Sequence, residues 1–96
     1  MKERDLNEIR QVKDLIIEHY ADTEDVLFAD GLDDAIIGFE PNLWKVVYSR
    51  TKVIDIFIER DGMTAQEAEE FAEYNTFAAM VGAKTPLWVE DFLWNY

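Results

Sequence analysis

Few side chains in this sequence have the chemistry for covalent or general acid–base catalysis. It holds one histidine, His19, one serine, Ser49, and no cysteine. His19 falls late in a predicted helix, where a protonated imidazole suits the helix dipole, and no second histidine is present to share a metal. Ser49 precedes a helical pattern that begins at Arg50, so its hydroxyl is expected to cap that helix, and nothing around it resembles a nucleophile elbow. Without cysteine there are no disulfides, no thiolate catalysis and no cysteine-based zinc or iron–sulfur site. The four glycines are isolated, so neither a phosphate-cradling loop nor a dinucleotide fingerprint can be drawn. These residues predict a non-enzymatic protein with no cofactor.

Carboxylates are the abundant chemistry. Asp30, Asp33 and Asp34 crowd a predicted turn, where they would hold a hard cation, or serve as acid and base, or bond backbone amides as a solvated turn. The spacing lacks the alternating acids, central glycine and distal glutamate of an EF-hand loop, which favours the solvated turn and no metal. A second group, Glu67, Glu69, Glu70 and Glu73, lies in a predicted helix. There positions 69, 70 and 73 share a face at i,i+3 and i,i+4 spacing, about 5–6 Å apart, with no lysine or arginine in the same helix. Such a face either keeps the protein soluble or meets a basic partner. For the second case the expected contact residues are Glu69, Glu70 and Glu73 with Asp30, Asp33 and Asp34. A third concentration is aromatic: Trp88, Phe92, Trp94 and Tyr96 either pack in the core or anchor an interface, and Trp88, Phe92 and Trp94 are the expected contacts of a homodimer.

These groups belong to a chain of 96 residues with 21 acidic and nine basic side chains, a net charge of −12, 49% hydrophobic and 14% aromatic content. The length predicts a single domain over 1–96 with one modest core, small enough for dimerisation to be worth considering. The acid excess repels nucleic acid and anionic membrane surfaces, so the expected partner is a basic protein, itself nucleic-acid-binding, and not nucleic acid or membrane. No apolar run approaches a membrane span and MKERDLNEIRQ lacks a signal-peptide core, from which a cytoplasmic location is expected.

The elements that must position these side chains follow from periodicity. Leu6, Ile9, Val12, Ile16 and Tyr20, widened by Leu15 and Ile17, predict an amphipathic helix over 5–20. Val26–Ala29, Ala35–Phe39 and Trp44–Tyr48 read as three strands of an antiparallel meander, with a turn at Glu40-Pro41-Asn42. Val53, Ile54, Phe57 and Ile58 predict a helix over 50–60 stopped by Asp61-Gly62. Thr64-Ala65-Gln66-Glu67 is a capping-box pattern, opening a last helix that buries Ala68, Phe71, Ala72, Ala78 and Ala79 and ends at Gly82. Phe77 falls off that stripe and is expected to meet a different neighbour. Asn75-Thr76 interrupts the buried side and is read as a side-chain bond across the core. Thr85–Val89 is a possible short edge strand. The class is α+β, order α-β-β-β-α-α, with helices covering one face of a small antiparallel sheet.

Three stretches, DGLDDAIIGFE, VVYSRTKVIDIFIERDGMTAQEAEEFAEYNT and VGAKTPLWVED, resemble a group of small acidic proteins of uncharacterised function from bacteriophages and bacteria. The resemblance spans about Phe28 to Val89 and carries over no catalytic residue. It implies a phage or mobile-element setting, in which compact acidic proteins inhibit host nucleic-acid enzymes by imitating DNA. The alternative is a housekeeping interaction or assembly module whose acidity serves solubility.

Overall fold

The computed structural model describes residues 11–20 and 25–92. Helix α1 (Val12–His19) buries Ile16, while Leu15 and Ile17 stay 39% and 46% exposed, so the seated stripe is narrower than the apolar pattern. His19 is exposed in its last turn. The predicted helical residues before position 11 lie outside the described residues.

Strand β1 (Ile36–Glu40) pairs antiparallel with β2 (Lys45–Ser49), with a bulge between Ile36 and Gly38. The connecting turn brings Trp44 to φ 59, a conformation that bulky residues avoid. Its ring is held there: Trp44 lies 5.6 Å from Tyr20 and 5.1 Å from Phe39, and Tyr20 and Phe39 are 4.6 Å apart. This aromatic trio fastens α1 to the hairpin. From β2, Val46, Tyr48 and Ser49 are fully buried.

Ser49 ends the strand and caps α2 (Arg50–Asp61), accepting from the Lys52 amide at 3.2 Å. Its hydroxyl also donates to Asp91 Oδ1 at 2.5 Å, tying the chain after the last strand to the start of α2. Gly62, at φ 72, closes the helix in the left-handed conformation, and the amides of Gly62 and Met63 reach the carbonyls of Ile58 and Phe57. Replacing Ser49 with alanine removes both bonds of a buried hydroxyl. A loss of about 1–2 kcal/mol is expected in urea unfolding, and a change under about 0.5 kcal/mol would mean that α2 does not depend on this cap.

The capping box opens α3 (Ala65–Phe71): Thr64 Oγ1 accepts from the Glu67 amide and Glu67 Oε1 accepts from the Thr64 amide. Ala68 and Ala72 have no exposed surface, and these small side chains let α3 lie close against α2. The chain then continues as a π-helical segment (Ala72–Phe77). Its wider turn shifts every later residue off the 3.6-residue period. Ala78 and Ala79 are consequently exposed and helix ends at Phe77 instead of Gly82; Phe71, which precedes the wide turn, is also 41% exposed, contrary to expectation. Phe77 meets a different neighbour, as its position off the stripe predicts: Trp88, at 5.5 Å between ring centroids.

Strand β3 (Leu87–Val89) joins β2 in parallel, giving a three-stranded sheet in the order β1-β2-β3. Among the described residues the α+β class holds, with three α-helices and three strands, but the sheet is mixed and not wholly antiparallel: the helices between β2 and β3 form the crossover that a parallel pair requires. Val26–Ala29 is the run that differs from expectation. It pairs with no strand among the described residues; its Ala29 amide donates to Tyr48 Oη at 2.6 Å. Val26 is nonetheless buried in the core with Leu32, Ala35, Ile36, Val53 and Phe57. Among the described residues no helix is long and apolar enough to cross a membrane.

Candidate functional site

Glu67, Glu69, Glu70 and Glu73 are all exposed. Glu67 is engaged in the capping box, where its bond from the Thr64 amide, followed by that of the Thr64 hydroxyl, holds the carboxyl below the usual glutamate range. It is therefore charged at neutral pH. Glu70 accepts from Gln66 Nε2 at 3.2 Å, and Glu69 has no polar partner among the described residues. Glu73 forms an ion pair with Arg50, the first residue of α2, whose guanidinium also lies 4.1 Å above the Phe77 ring. The acidic face thus lacks a basic residue along its own helix but meets one across the α2–α3 packing.

The aspartates have a different surrounding. Asp33 opens a 3-10 turn (Asp33–Ala35) and pairs with Lys13 at 3.3 Å, and Asp34 accepts from Gln11 Nε2 at 2.5 Å. The Gly31 carbonyl accepts from Arg60 Nη1 at 2.7 Å. The turn is docked on α1 and on the C-terminal end of α2, and among the described residues Asp30 has no such tie. Among the described residues no group of three or more His, Cys, Asp or Glu is placed to hold a metal ion, so the cation reading of this turn has no geometry behind it.

The two acidic groups are consequently not one patch. One is anchored at Arg50 and the other at Arg60, ten residues apart on α2. At a rise of about 1.5 Å per residue those anchors are separated by roughly 15 Å along the helix.

Several clefts border the π-helical segment, and Asn75 lies in two of them. The first, about 370 Å³, is lined by Met63, Glu67, Glu70, Phe71, Tyr74 and Asn75. The second, about 360 Å³, runs between the Leu27–Leu32 stretch and the segment, with Asn75, Thr76 and Trp88 in its wall. Asn75 borders both and is exposed, so it does not make the bond across the core that its position suggested. Tyr74 is 82% exposed, and Phe71 keeps one edge on Phe57 at 5.1 Å while its other side opens to the first cleft.

Of the aromatics expected at a homodimer contact, Trp88 is occupied within its own protomer. It packs on Tyr48 at 4.8 Å and on Phe77, and its buried Nε1 has no hydrogen-bond partner among the described residues. Phe92 is 63% exposed, and Trp94 lies outside the described residues.

Sequence reasoning missed Arg50, whose pairing needs the fold, and Tyr74, whose signal was available. Phe71 and Tyr74 repeat the i,i+3 spacing of Glu70 and Glu73, one position along, which sets an apolar stripe beside the acidic one. Comparison with known proteins finds no family model, no curated protein and no solved structure that matches this chain.

Proposed function

We propose that this protein is a non-enzymatic acidic binding protein, an inhibitor or decoy of phage or mobile-element origin that occupies a basic groove on a host nucleic-acid-processing protein. The observation that carries the reading is the stretch from Asp61 to Ala83, which contains no lysine or arginine and presents Glu67, Glu69, Glu70 and Glu73 on a folded, capped helix. Duplex DNA carries one negative charge per about 1.7 Å of axis, and a row of carboxylates on a folded backbone imitates part of that field. Asp30, exposed near the other end of α2, is a separate negative site and not part of this row. The partner is a basic nucleic-acid-binding protein, and the site of action is the cytoplasm of the host cell.

Affinity capture from a host lysate, followed by displacement with duplex DNA, tests the proposal. A decoy recovers basic nucleic-acid-binding proteins at low salt, releases them as salt rises, and loses them to added DNA. Recovery of no basic protein would overturn it. The exposed Phe71, Tyr74, Met80, Val81 and Phe92 favour a second reading, an assembly module held by apolar contact with acidity serving solubility. That module retains its partner when charges are screened.

A further inference from the structure

We infer that the cleft beside the acidic helix receives a bulky apolar side chain carried on a lysine- or arginine-rich segment of the partner, so that the surface reads an apolar anchor as well as charge. The inference rests on the acidic-surface reading and adds the chemistry of what that surface holds.

The cleft is shallow and open, and it is lined by apolar and acidic side chains together. Met63 and Phe71 line it, Tyr74 stands beside them 82% exposed, and Glu67 and Glu70 border it. No basic residue is among its lining side chains. Its volume, about 370 Å³, lies at the small end of the range of ligand clefts, suited to one or two side chains. Exposed aromatic surface flanked by carboxylates complements a segment in which a large apolar residue is bracketed by cations. The aromatic face attracts the cations through its quadrupole, and the bordering carboxylates pair with them.

Tyr74 is presented from the π-helical segment (Ala72–Phe77). Such turns are rare and are found frequently at functional sites. Here the wide turn seats Phe77 against Trp88 on the inner side while Tyr74 stays outside. Tyrosine in that position supplies large, rigid contact area at low cost in side-chain entropy.

Two fluorescent synthetic peptides with the same number of lysines, one with a central phenylalanine and one with serine in its place, distinguish an anchored site from a purely electrostatic one. Titration with the full chain at physiological salt is expected to show the phenylalanine peptide bound about tenfold more tightly. Tyr74→Ala, at an exposed position outside the core, is expected to keep the unfolding midpoint and reduce the phenylalanine peptide to the affinity of the serine peptide. Equal affinities that both vanish at high salt would overturn the anchored cleft and leave the acidic-surface reading standing. A preference for phenylalanine that survives Tyr74→Ala would overturn the location. No binding of either peptide would overturn the cleft and count against the acidic-surface reading with it.

Discussion

Replacing Tyr48 with alanine is expected to cost about 3–5 kcal/mol, the range for truncating a buried aromatic side chain and leaving its cavity. Tyr48 has no exposed surface, sits in the central strand β2, pairs in register with Ile36 and Trp88, and stacks on the Trp88 ring at 4.8 Å. Its hydroxyl is the acceptor for the Ala29 amide. One residue therefore joins the central strand, both of its neighbours and the irregular 26–29 run. Domains of this size have about 5–15 kcal/mol in total, so the substitution removes a large part of it. The readout is the urea midpoint, which should fall with little change in slope. Tyr48→Phe separates the contributions: it keeps the ring and strands the Ala29 amide, at about 1–3 kcal/mol. Equal losses in the two variants would show that the hydrogen bond, not the packed ring, holds this part of the core.

The same hydroxyl makes stability depend on alkaline pH. Burial pushes the Tyr48 phenol up from 10.0 to about 12, opposed by the Ala29 amide and reinforced by the charge of Asp33. The folded value lies above the unfolded one, so the contribution is fully present below pH 10 and is lost as pH rises toward 12. Urea midpoints should decline between those limits more steeply in the native chain than in Tyr48→Phe. Parallel declines would remove Tyr48 as the cause.

What was legible in the sequence is what local chemistry decides. Ser49, Gly62 and the Thr64–Glu67 box act within a few residues of their own positions, and α2 and the start of α3 lie where those signals put them. Val26–Ala29 was not legible, because an apolar run says that it will be buried and not what its amides will bond. The direction of β3 was equally hidden, since Thr85–Val89 has the composition of a strand whichever way it lies beside β2. The π-helical segment defeated a fixed 3.6-residue period, and with it the expected burial of Ala78 and Ala79. At the candidate site, spacing alone placed Glu69, Glu70 and Glu73 on the surface. The offset by Arg50 came from 23 residues away, where no periodicity reaches.

Reversing Glu69, Glu70 and Glu73 to lysine is expected to slow association with a basic partner by about tenfold to a hundredfold at low ionic strength. The change takes the net charge from −12 to −6, two units for each reversal, and inverts the face that steers encounter. The effect should shrink as salt shortens the screening length to about 8 Å near physiological strength, which identifies it as long-range steering. Stability should move little at Glu69 and Glu70, because exposed substitutions away from special contacts usually stay within about 0.5 kcal/mol. Glu73 differs from them: a lysine there loses the Arg50 pair and puts two cations together beside the Phe77 ring. The Glu69→Lys, Glu70→Lys double variant is thus the cleaner measurement, and the triple variant is read against its own unfolding curve. At the other end of α2, Asp30→Lys is the matching single change, since reversing Asp33 would also break its tie to Lys13. Stopped-flow association with the captured partner decides the matter. Unchanged rates in the double variant at low salt, with the fold intact, would assign these glutamates to solubility and leave the apolar surface around Tyr74 as the contact.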